Sequence, residues 1–194
     1  MSLGRVALAF IAASVLAFAT PAVAQNSLTF QGVTFETLAS GNTLQLTITN
    51  ALSGGTGNWS NVNYLKAFEI KDVGRVTGAS LDGWRVDVEE GLSSAAGCET
   101  GGTPGACFYS PTAVALSDRM TFTIRFRGTN LNFDAPHLKV QFLTRAGDAR
   151  ATGDLLSQTI PAVPEPEIYA MMAVGLGLMG FVARRRKLHE SMAV

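Results

Sequence analysis

Residues 119–127 read RMTFTIRFR, with Met120, Phe122, Ile124 and Phe126 on one parity and Arg119, Thr121, Thr123, Arg125 and Arg127 on the other. Side chains of an extended chain point alternately to opposite faces, so this stretch predicts a strand with one face in a core and one in water. Thr43 to Asn50 alternates in the same way, setting Leu44, Leu46 and Ile48 against Gln45, Thr47 and Thr49. Weaker segments of the same kind are Leu28 to Phe30, Val33 to Leu38, Tyr64 to Ile70, Val76 to Leu81, Trp84 to Val88, Leu138 to Thr144 and Leu156 to Ile160. Turn formers separate them, as in Ser53-Gly54-Gly55-Thr56-Gly57-Asn58 and Asp82-Gly83. No stretch between residues 25 and 162 repeats apolar side chains convincingly at helical spacing. The pattern predicts a mainly β fold, a single antiparallel β-sandwich of jelly-roll or Ig-like type.

These segments fill residues 25–162, a length suited to one domain that removes about two-thirds of its unfolded surface from water. The region carries ten Lys or Arg against twelve Asp or Glu. It therefore lacks the basic footprint of nucleic-acid binding. Cys98 and Cys107 stand in GCETGGTPGACFY, whose glycines predict a long connection. If the chain is exported, an even cysteine count points to a disulfide, which would pin that connection; free or redox-active thiols are the alternative. No Cys-His cluster accompanies the pair, so neither a metal nor a cofactor is expected.

Both ends of the chain carry targeting features. Met1 to Ala24 has one early charge, Arg5, an apolar stretch from Val6 to Ala19, and Ala22-Val23-Ala24 before Gln25. That arrangement predicts a secretory signal peptide, helical in its apolar part and cleaved after Ala24, with the Sec export machinery and signal peptidase as partners. At the other end Val163, Pro164, Glu165 and Pro166 form a stiff block, followed by an apolar run from Ile168 to Ala183 and then Arg184, Arg185, Arg186 and Lys187. Prolines fix their own φ and extend the residue before them, so the block stands apart from any helix. The run predicts a transmembrane helix, short at about 24 Å against ~30 Å of hydrocarbon. The basic cluster acts as a stop-transfer signal, since each cation costs roughly 2.5–3.5 kcal/mol at the bilayer centre. This topology predicts that residues 188–194 form a cytoplasmic tail, with the sandwich on the far side of the membrane. Gly175, Gly177 and Gly180 formally spell G-x-G-x-x-G, but no strand precedes them and only fourteen residues follow, so no dinucleotide site is implied.

The block, span and basic cluster in VPEPEIYAMMAVGLGLMGFVARRR resemble the C-terminal sorting signal of PEP-CTERM proteins. The resemblance implies that an exosortase, a membrane-embedded cysteine transpeptidase, recognises residues 163–166 and cuts near them. It further implies transient residence in the inner membrane with the ectodomain in the periplasm. Transfer to the cell surface or an extracellular polysaccharide (biofilm) matrix would follow. Residues 84–166 are also similar to the ectodomain of one common subgroup, which supports export and β architecture and brings no chemistry with it.

Catalytic signatures are missing from the sequence. There is no H-E-x-x-H, G-x-S-x-G, P-loop or EF-hand pattern. His137 is the one histidine outside the tail and sits at the entry of a strand, where a local hydrogen bond satisfies it. A non-enzymatic protein is expected. The alternative is a permanently anchored periplasmic carbohydrate-binding module. Among Trp59, Tyr64, Trp84 and Tyr109, Trp84 belongs to a strand and is expected between the sheets, whereas Trp59 in its Gly-Asn-Trp-Ser loop is the candidate exposed ring for a saccharide.

Overall fold

The computed structural model describes residues 25–93, 97–101, 105–152, 156–163 and 172–180. Within them the chain forms β1 (Gln25–Phe30), β2 (Val33–Ser40), β3 (Thr43–Thr49), β4 (Tyr64–Lys71), β5 (Arg75–Ser80), β6 (Arg85–Asp87), β7 (Glu90–Ser93), β8 (Gly97–Gly101), β9 (Gly105–Ala115), β10 (Arg119–Thr129), β11 (His137–Leu143) and β12 (Leu156–Thr159). One five-stranded sheet has the order β1-β2-β3-β10-β5 and a second the order β12-β11-β4-β9-β6, while β7 and β8 make a separate two-stranded sheet. Every pairing is antiparallel.

Tight turns follow from residues that accept positive φ. Gln31 (φ 46) and Gly32 (φ 79) form the two-residue loop between β1 and β2, the geometry whose twist matches that of a hairpin. Gly32 is required there for a second reason: a Cβ would run into the Gly54 carbonyl of the loop packed over it. Asn50, Asp72 and Asn130, each with positive φ, stand just beyond β3, β4 and β10.

The inner faces of the two large sheets share one core. On β10 the alternation is the one the sequence predicts: Phe122, Ile124 and Phe126 are buried and Arg119, Thr121, Thr123, Arg125 and Arg127 are exposed. Phe68 of β4 meets Phe122 of β10 with ring centroids 5.3 Å apart, and Phe108 of β9 meets Phe126 at 6.3 Å. Trp84 is half-buried against Phe68 and Phe122, as expected for a ring held between the sheets.

Three strands were not foreseen. GCETGGTPGACFY does not form a long connection, because its ends belong to β8 and β9. β9 is an interior strand, paired to β4 on one side and β6 on the other. Its residues Ala106, Cys107 and Phe108 are all buried, since the core covers one face and the β7–β8 hairpin covers the other. Apolarity on both faces erases the alternation that marks a half-buried strand.

Candidate functional site: the sorting junction

The C-terminal edge of the domain is built from the residues that immediately precede the Pro-Glu-Pro block. After β12 the Ile160 amide donates to the Pro136 carbonyl (2.9 Å). The chain then pairs with β1, the edge strand of the other sheet. Ser27 donates its amide to the Pro161 carbonyl (3.1 Å), Asn26 and Ala162 form an antiparallel bridge, and Val163 donates to the Gln25 carbonyl (2.8 Å). This segment thereby ties the edge of one sheet to the edge of the other and occupies a strand edge that would otherwise expose unpaired amides.

Asn26 holds the junction from below. Its side chain is fully buried, and its Nδ2 donates to Thr37 Oγ1 (3.0 Å) and to the Phe133 carbonyl (2.8 Å). A buried amide with two good acceptors fixes β1 laterally, which in turn fixes residues 161–163. Sequence reasoning missed Asn26, whose neighbours Gln25 and Ser27 make it look like solvent-facing polar chain.

The expected signal-peptide cleavage site, after Ala24, and the Pro164–Pro166 block therefore abut two residues that share one backbone hydrogen bond, Gln25 and Val163. Residues 1–24, Pro164, Glu165, Pro166, Arg184, Arg185, Arg186, Lys187 and the tail 188–194 lie outside the described residues. Of the run 168–183, residues 172–180 are described, and they are helical. At ~1.5 Å per residue this piece is about 13.5 Å long, under half of the hydrocarbon thickness. Among the described residues no helix is long and apolar enough to cross a membrane. Met172, Val174, Leu176, Leu178 and Met179 are nevertheless all more than half exposed, so the helix keeps its apolar surface outside the domain core. Gly175, Gly177 and Gly180 all lie inside this one helix, whereas a dinucleotide fingerprint sets its first glycines in the turn that joins a strand to a helix.

Trp59 requires a correction. It is 1 % exposed and stands in the core, edge-on to Phe142 at 4.9 Å and to Phe30 at 5.3 Å. The 3₁₀ turn Gly57–Trp59 swings the ring inward, with the Trp59 amide bonded to the Thr56 carbonyl (3.0 Å) and to Gln31 Oε1 (3.1 Å). A fully buried indole offers no face to a saccharide.

Cys98 and Cys107 form a disulfide with Cα atoms 5.7 Å apart. It staples the β7–β8 hairpin onto the outer face of β9. Beneath that hairpin lies a pair that sequence reasoning did not find. Glu69, fully buried, faces Lys139 at 3.0 Å and accepts the Leu92 amide (3.0 Å), while Lys139 also donates to the Leu92 carbonyl (3.3 Å). The register places Glu69 and Lys139 directly opposite each other, but only the unforeseen hairpin buries Glu69 and partly covers Lys139.

His137 opens β11 as expected and is locally bonded, with Nε2 2.9 Å from Ser157 Oγ and Nδ1 3.4 Å from Thr159 Oγ1. Partial burial, reinforced by the nearby Lys71 charge, lowers its pKa; Asp72 pulls the other way. Ser157 and Asp72 flank the ring in the manner of a hydrolytic triad. However, Asp72 is 4.0 Å from Nδ1 and 59 % exposed, too distant and too solvated to orient the imidazole by a hydrogen bond. Among the described residues no group of three His, Cys, Asp or Glu side chains could hold a metal ion.

A β-domain whose last paired residue, among those described, directly precedes a Pro-Glu-Pro block, with an exposed apolar helix further on, has the layout of a protein sorted through its C-terminus. The family model of the PEP-CTERM protein-sorting motif matches residues 162–187. The chain thus carries the PEP-CTERM sorting signal and is an exported protein targeted to an exosortase. Neither the curated proteins nor the solved structures contain a match to it.

Proposed function

We propose that this protein is a non-enzymatic surface or matrix component, a β-sandwich exported by its signal peptide and held briefly in the inner membrane by residues 168–183. An exosortase then cuts it free near residues 163–166. The observation that carries the reading is the position of the motif: it begins at residue 162, one residue before the last domain amide bonded to β1. Cleavage beyond that bond leaves the domain intact. The exposed apolar face of helix 172–180 supports the anchoring step, because such a surface seeks lipid when the core does not take it. The basic cluster at 184–187 supports a topology with the domain outside.

Replacing Pro164, Glu165 and Pro166 together by alanine tests the reading in the native cell. The expected result is accumulation of an uncut form in the membrane fraction and loss of the released form. Unchanged release would rule out the motif as the processing signal.

A further inference from the structure

We propose that the cavity between the disulfide-stapled hairpin and the outer face of the β12-β11-β4-β9-β6 sheet binds a carboxylate-bearing sugar, a hexuronate unit. Register sets Arg85 of β6, Tyr109 of β9, Ala67 of β4 and Gln141 of β11 opposite one another in a single row. At ~4.8 Å between strands the row spans about 14 Å. The short Ala67 side chain leaves a hollow in its middle, and a cavity of about 350 Å³ opens there. That volume is in the range of small-ligand sites, roughly 300–1,000 Å³. Gly97 and Cys98 of the hairpin form one wall, held in place by the bond to Cys107.

The chemistry of the lining selects the ligand. Gln141 is 2 % exposed, yet its Oε1 accepts no hydrogen bond and points towards Gly97, whose Cβ, if it had one, would lie 3.9 Å away. A buried amide oxygen without a donor is costly, and a ligand hydroxyl supplies that donor. Lys66 Nζ spends two of its hydrogens on the Ser110 (2.7 Å) and Pro111 (3.0 Å) carbonyls and keeps its charge at the site. Arg85 is exposed and has no ion pair among the described residues. Glu69, the buried acid among the described residues, is already committed to Lys139, and no acid is among the described lining residues. Two cations without an acid call for an anion, and a guanidinium matches a planar carboxylate with paired hydrogen bonds. The half-buried Tyr109 adds a flat apolar face and a hydroxyl, suited to the C–H face and hydroxyls of a pyranose. A bare inorganic anion would leave Tyr109 and Gln141 unused, and a neutral sugar would leave both cations unused. The site uses none of the sorting residues, so it stands or falls independently of C-terminal processing.

Calorimetric titration of the full-length chain in detergent with glucuronate, glucose and inorganic phosphate tests the assignment, with an unfolding curve for each variant. Saturable glucuronate binding is expected, roughly tenfold weaker in Arg85→Ala through loss of one charge-assisted contact. Gln141→Glu, isosteric but acidic, is expected to abolish it while the variant remains folded. Glucose and phosphate should each bind at least about tenfold more weakly than glucuronate. The proposal is overturned by no glucuronate binding, by equal binding of glucose or phosphate, or by full affinity in folded Arg85→Ala.

Discussion

Trp59 shows how one side chain can carry a large share of the stability of a small domain. Its ring joins Phe35 of one sheet and Phe142 of the other, so its removal opens a cavity at a point where both sheets meet. Trp59→Ala should cost about 3–5 kcal/mol, read as a lowered urea midpoint at unchanged slope. A loss below about 1 kcal/mol would contradict the burial. His137 gives a pH signature instead. Its folded pKa lies below the ordinary value of 6.5, so the unfolded chain binds the proton more tightly. The associated stability is complete above that value and falls as pH drops from it towards the lowered folded pKa. His137→Gln should remove this part of the acid sensitivity in urea melts at a series of pH values. The effect is small, because solvent screens a ring that is only partly buried.

At the scale of elements, the hairpin β7–β8 depends on its staple. By loop-closure entropy a bridge around about ten residues contributes roughly 2.5–3 kcal/mol. Reduction should therefore accelerate amide exchange first at Leu92, whose amide sits over Glu69, and leave β3 and β10 protected. Uniform loss of protection would show that the hairpin and the sheets unfold together. This region also marks where the sequence stops being readable. Nine strands were legible from their alternating sequence, most clearly where one face is buried and the other exposed, as in β10. In β9 that contrast disappears, and Gly105 at its start and Pro111 in its second half dilute the strand signal further. Glu69 and Gln141 were hidden for the same reason, since each becomes interesting only when the hairpin covers it. Trp59 failed differently. A turn's composition shows that the chain bends and says nothing about which way a ring swings, and the inward swing depends on Gln31, twenty-eight residues away.

At the scale of the whole molecule, the two ends of the domain meet. Gln25 and Val163 share a hydrogen bond, so the residue after the expected signal-peptide cleavage site and the residue before the Pro-Glu-Pro block adjoin at one edge of the structure. Among the described residues the last backbone bonds to β1 precede the Pro-Glu-Pro block, so removal of either segment leaves that pairing in place. The sequence made the sorting signal legible from its order of parts, but the pairing of residues 161–163 with β1 required the fold. The most direct test is the intact mass of the mature protein recovered from the cells that make it. The account predicts a chain that begins at Gln25, ends between Val163 and Pro166, and lacks the apolar run and the arginines. A mature product that retains Arg184, Arg185 and Arg186 would contradict it.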